Sequence, residues 1–216
     1  GGLNKANINK LNTKSLQMGL PNLDRHIENI KRFCEPPIVC LNRFREDHTE
    51  EIEVIKNHCE KNLQVPFAVS NVFEEGGKGG IDLAEKVILH SETSSQPFSP
   101  LYDWNEDVKT KIFKIANKMY GAGEVRYTQR AERDLRSIEK NGYHNLPVCI
   151  AKTPISLSDN PKLRGRPENF CVTVREIVIA AGAGFLIPLT GDILRMPGLP
   201  KYPQAEKIDL RGNDII

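Results

Sequence analysis

Two stretches of this sequence carry residues whose types and spacing could do chemistry. In "EEGGKGG" (74–80), paired glycines surround Lys78 just ahead of a helical pattern, a composition that could cradle phosphate. The phosphate-loop pattern G-x-x-x-x-G-K-[ST] is not met, because Gly79 rather than Ser or Thr follows Lys78. A turn that brings backbone close to a ligand, or merely turns tightly, needs the same glycines. In "CLNRFREDHTEE" (40–51), Phe44 stands between Arg43 and Arg45 directly after an apolar run, and Phe73 follows a second such run. An exposed ring there is a platform for a flat heteroaromatic ligand, with stacking on the order of 1–3 kcal/mol per ring. A ring folded back into the core would leave the same pattern, so both readings stay open.

Other chemistries find little footing. The five histidines (26, 48, 58, 90 and 144) have no metal-ligand spacing, and no metal site is expected. Neither a nucleophile elbow nor a Cys-His dyad is present, so no residue of this sequence is singled out as catalytic. Ser156 and Ser158 in "SLSDNP" are expected to bond backbone within a turn. The basic run "KLRGRPEN" (162–169) could meet an anionic tail or simply be a solvated loop. Five cysteines, odd in number and without C-x-x-C, read as buried thiols of a reducing compartment, with cytoplasm expected.

The elements that must position Phe44 and Phe73 are legible in the hydrophobic pattern. A helical stretch ends near Arg32, a strand covers Ile38 to Leu41, and a helix from Asp47 to Asn62 turns Ile52, Ile55 and Cys59 inward. A second strand, Val65 to Ser70, leads through the glycine-rich loop to a helix from Ile81 to His90. Strand, loop and helix repeated in this order predict a parallel α/β unit, whose ligands sit outside the carboxyl ends of its strands. The polar stretch "SETSSQPFSP" (91–100) reads as a connector. Helices over Asn105–Met119 and Thr128–Lys140 follow, the second with Thr128 as its cap and Gly142 past its end. Short β-branched runs at 147–151, 170–180 and 184–190 predict strands of a mixed sheet, with the glycines of "GAG" (182–184) between two of them. The fold class is therefore α/β: a parallel βαβα unit, two helices, then a mixed-sheet carboxy-terminal part. Residues 1–95 would form the first segment and 96–216 a second one packed against it.

With 39% hydrophobic and 27% charged residues, the 216-residue chain has the composition of a globular protein. Its 30 basic and 28 acidic residues leave a formal charge of +2, which gives no field to attract nucleic acid or an anionic membrane. The uncharged run Ile177–Gly191 is shorter than the roughly 20 residues a bilayer-spanning helix needs. No leader pattern opens the chain, so no signal peptide is expected. The start at Gly1-Gly2, with Leu16, Leu20, Leu23, Ile27 and Ile30 already in helical spacing, suits a piece of a longer protein.

Longer motifs go further. "GLPNLDRHIENI" (19–30), "LNRFREDHTEEIEVI" (41–55), "GGKGGIDLAEKV" (77–87), "GYHNLPVCIAKTPISLSDNP" (142–161), "GRPENFCVTVREI" (165–177) and "AGAGFLIPLTGDILRMPGLPKYP" (181–203) together resemble the carboxy-terminal part of the formate-tetrahydrofolate ligase family. The resemblance implies a ligase of one-carbon metabolism in which ATP phosphorylates formate and the N10 amine of tetrahydrofolate attacks the formyl phosphate, giving 10-formyltetrahydrofolate. It also implies that the pterin ring lies between Phe44, matching the family's N-x-F motif, and Phe73, which stands where the family has Trp. Val69 would line the pocket where the family has Leu, and Asp47 could bond the pterin amino group, although a place at a helix start explains it equally. Gly76, Gly77, Gly79 and Gly80 would let the clamp move. His48 stands where the family often has Thr. The family's sites for ATP with Mg, and for formyl phosphate, belong to an amino-terminal region that this sequence does not match. The chain alone is thus expected to be inactive, with tetrahydrofolate, that missing region and further copies of itself as partners. A non-catalytic assembly fragment, or part of a multifunctional folate enzyme, remain the alternatives.

Overall fold

The computed structural model describes residues 7–34, 37–93, 97–191, 193, 201–211 and 214–215. In chain order its elements are α1 (Thr13–Gln17), α2 (Leu20–Lys31), β1 (Val39–Asn42), α3 (Thr49–Asn57), β2 (Phe67–Ser70), α4 (Val72–Glu75), α5 (Ile81–Thr93), α6 (Val108–Lys114), β3 (Glu124–Tyr127), α7 (Gln129–Lys140), β4 (Cys171–Ala180), β5 (Phe185–Thr190), β6 (Leu210–Arg211) and β7 (Asp214–Ile215). The fold is α/β. β1 and β2 pair in parallel, with Val39 opposite Phe67 and Asn42 opposite Ser70. β3, β4 and β5 form a mixed sheet in that order, β3 parallel and β5 antiparallel to β4. The short strands β6 and β7 pair antiparallel.

The main core lies where α6 and α7 cover the mixed sheet. Val108 and Ile112 from α6 meet Ala131 and Ile138 from α7, Val174 and Ile177 from β4, and Leu186 from β5. The parallel pair has a smaller interior of Phe67, Ala68, Val65 and Cys59, with Ile27 of α2 also buried. Burial of such side chains contributes about 1.5–3 kcal/mol each, which is what holds either layer together.

Side chains of α2 reach the end of the helix that begins as α6. That helix widens into a π-helical turn, Ile115–Tyr120, and stops at Gly121, whose φ of +88° only glycine adopts without strain. Arg25 Nε donates to the Met119 carbonyl at 3.2 Å, and its Nη2 donates to those of Asn117 (3.2 Å) and Lys118 (2.9 Å). Asn29 Nδ2 adds a bond to Met119 O at 2.8 Å. A buried guanidinium thus caps the negative end of a helix dipole. Nearby, Arg166 grips both oxygens of Glu28 at 2.8 and 2.9 Å, which holds the Glu28 carboxyl below its ordinary range. In the basic run 162–169, Arg166 is therefore an internal tie.

Several expectations change. β3 was not foreseen: four residues of exposed and half-buried alternation carry too short a signal. Residues 147–151 run along β5 but close only two bridges, Val148 with Leu186 and Ala151 with Leu189. Cys149 N donates to Leu186 O and Ala151 N to Pro188 O, but Pro188 has no N–H to return to this segment, so the ladder is broken there. The cysteines are not uniformly buried. Cys59 is, Cys171 is half-buried, and Cys34, Cys40 and Cys149 are exposed, Cys40 because side chains alternate along β1 and its own is on the exposed side. The helix expected from Asn105 begins at Val108, since Asp107 caps it by accepting from Thr110 N at 3.0 Å. Thr128 caps α7 as predicted, accepting from Ala131 N. Ser156 and Ser158 bond each other and neighbouring backbone. Residues 94–96 of the connector, and 192 and 194–200 of the 181–203 motif, lie outside the described residues.

Candidate functional site

β1 and β2 end side by side, and the parallel register carries both Phe44 and Phe73 to the same edge. Arg43 N donates to Ser70 O at 2.9 Å, closing the last rung before the chains part. From there residues 44–47 form a tight turn: Asp47 N donates to Phe44 O at 3.1 Å, and Phe44 N donates to Asp47 Oδ2 at 2.9 Å. The carboxylate of Asp47 is thus engaged with the backbone of the aromatic residue. It does not cap α3, whose first flanking residue is His48 without a side-chain cap bond. His48 instead approaches Asn9 O through Nε2 at 3.1 Å.

The second arm follows β2. α4 is a single turn in which Glu74 N and Glu75 N both donate to Asn71 O, while Asn71 Nδ2 donates to Glu75 Oε1 at 2.6 Å. The glycine-rich stretch expected as an open loop is a 3-10 helical turn, Gly76–Gly80, folded back on Asn71, whose N–H donates to Gly79 O at 2.9 Å. A Cβ on Gly79 would fall onto the Asn71 carbonyl and lie 2.8 Å from Val72 N. Gly79 is therefore required for close approach, Gly80 nearly so against Val72, and Gly76 for its φ of +58°, while Gly77 faces open space.

Phe44 is 60% exposed and Phe73 88% exposed, so neither ring folds back into the core. Both rings therefore stand in water beyond the ends of paired strands. Arg45 Nε donates to Glu74 Oε1 at 2.9 Å, tying the turn that bears Phe44 to the one that bears Phe73. Val69, half-buried and paired with Leu41, lies one residue before the end of β2. The arrangement offers two exposed aromatic rings on neighbouring turns.

Around Lys78 the sequence does not meet the phosphate-loop pattern, and the turn carries acidic neighbours. One carbonyl of 76–80, Gly79 O, is engaged with Asn71 N, and Glu74 and Glu75 place negative charge beside the turn. Among the described residues no group of three His, Cys, Asp or Glu could hold a metal ion. Hollows lie elsewhere and were not foreseen. One of about 410 Å³ lies between α2 and residues 152–157, and one of about 370 Å³ is walled by Phe33, Phe98, Trp104 and Tyr120. In the first, burial lowers the pKa of Lys152 and pushes that of Tyr120 up to about 12. Exposed aromatic area thus lies in two places: at the second hollow, where Phe98 and Trp104 are exposed, and at Phe44 and Phe73, which line neither hollow. Among the described residues no helix is long and apolar enough to cross a membrane.

A sequence model of the family described as formate-tetrahydrofolate ligase matches residues 1–216, and the chain belongs to that family.

Proposed function

We propose that, within the ligase family to which it belongs, this chain supplies the folate-holding half of the site. The pterin ring of tetrahydrofolate lies between Phe44 and Phe73, with Val69 beneath it. The observation that carries this reading is the exposure of both rings on turns leaving paired strand ends. Each stacked face contributes on the order of 1–3 kcal/mol, roughly a 5- to 150-fold gain in affinity. Asp47 acts by shaping the Phe44 turn, since one of its oxygens already accepts the Phe44 N–H. Holding the folate in place brings its N10 amine to a formyl phosphate made elsewhere, a contribution of proximity and orientation.

ATP, its Mg ion and formyl phosphate are handled by residues outside this sequence, in keeping with the lack of a phosphate-loop pattern around Lys78. Residues 1–95 carry the folate pocket and 96–216 buttress it through α6 and the mixed sheet. The chain alone binds folate without turning over ATP and formate, and works in the cytoplasm assembled with the phosphate-binding region and with further copies of itself. That same lack favours one rival, a purely architectural fragment. Isothermal titration of tetrahydrofolate into the chain separates the two. Saturable binding that Phe44→Ala weakens at least fivefold in a still-folded protein supports the clamp, and unchanged affinity in that variant refutes it.

A further inference from the structure

We propose that the Arg45–Glu74 ion pair is a brace that presets the spacing of the two aromatic arms, making Arg45 and Glu74 positioning residues for the folate clamp. The inference rests on the clamp reading of the preceding subsection. Each arm is fixed at its base. The Phe44 turn hangs on Arg43 and is closed by Asp47, and the Phe73 turn is pinned by Asn71 and the close approach of Gly79. Neither ring is held by packing, because both stand in water. Among the described residues no other hydrogen bond or ion pair joins residues 43–48 to residues 72–75. The described side-chain tie between the two arms is therefore this one contact, at 2.9 Å.

Two faces that hold one flat ring must stand about 7 Å apart, since carbon atoms in contact sit about 3.5 Å from each other. A clamp already near that spacing loses less freedom when the ligand enters. The Arg45 side chain is 83% exposed, so the coupling is modest and screened by salt. Arg45 offers a planar guanidinium and Glu74 a carboxylate that also belongs to α4, so moving either charge moves an arm.

The test is a double-mutant cycle read as tetrahydrofolate affinity: Arg45→Gln, Glu74→Gln, both together, and the reversed pair Arg45→Glu with Glu74→Arg. Each single variant is expected to weaken binding about two- to fivefold, the double variant no more than either single, and the reversed pair to restore affinity. The differences should vanish near 1 M salt, where the screening length is about 3 Å. Single variants that bind like the parent, while Phe44→Ala still weakens binding, overturn the brace and leave the clamp standing. A second measurement needs no folate. Backbone ¹⁵N order parameters of residues 44–47 and 72–75 in the free chain should fall in Arg45→Gln and recover in the reversed pair. Unchanged values overturn the brace whatever the folate titration gives.

Discussion

Replacing Arg25 by Met removes the joint between α2 and the α6 helix while keeping most of the side-chain volume. Arg25 is 7% exposed and makes three charge-assisted bonds to carbonyls at a helix end. Two of those carbonyls keep another partner: Asn117 O still accepts from Gly121 N, and Met119 O from Asn29 Nδ2. Lys118 O loses the only partner described for it. Bonds to a charged donor contribute about 1.5–3 kcal/mol each, but three bonds from one group do not add, so the expected loss is about 3 kcal/mol. For a chain of this size that corresponds to a fall of roughly 6–12 °C in melting temperature. Urea unfolding of the parent, Arg25→Met and Arg25→Lys measures it, with Lys recovering only part because its ammonium cannot span three carbonyls in one plane. A loss below about 0.5 kcal/mol, the range of ordinary surface changes, would show that water replaces the guanidinium and that the joint is incidental.

Two further outcomes follow from the same contacts. Gly79→Ala puts a methyl onto the Asn71 carbonyl and should lower stability by about 1–3 kcal/mol and loosen the Phe73 arm, whereas Gly77→Ala, in open space, should stay within about 0.5 kcal/mol; thermal melts of the two variants compare them directly. Glu28, whose pKa the Arg166 guanidinium lowers from its ordinary 4.5, contributes stability that is present above that value and is lost as pH falls through its folded pKa. The gap in urea midpoint between the parent and Glu28→Gln should accordingly be full at neutral pH and close in acid; a gap constant across that range would refute the linkage.

Sequence reading reached the two aromatic residues through local cues. An apolar run that stops at Asn42 or Ser70, followed by a ring among charges, marks a strand end and the loop after it, and β1 and β2 lie within two residues of where the pattern put them. Exposure of the rings was left open by pattern, since a core-facing Phe and a solvent-facing one are spelled alike. The role of Asp47 was likewise open: a carboxylate two residues before a helix reads as a cap, and only the closed turn shows it holding Phe44 N instead. The glycine run was read for freedom, yet one of its members is fixed by the backbone of Asn71, eight positions earlier.

What the sequence by itself determined is the family, the α/β alternation and the placing of Phe44 and Phe73 at the ends of successive strands, because hydrophobic period and motif are properties of neighbouring residues. Tertiary structure alone decided that Arg25 caps a helix 94 positions away, that Arg166 closes on Glu28 across 138, and that Arg45 meets Glu74. A charged side chain has no preferred partner in one dimension. Its partner is chosen by which carbonyl or carboxylate the packed elements bring within about 3 Å, and by how little water remains there to compete.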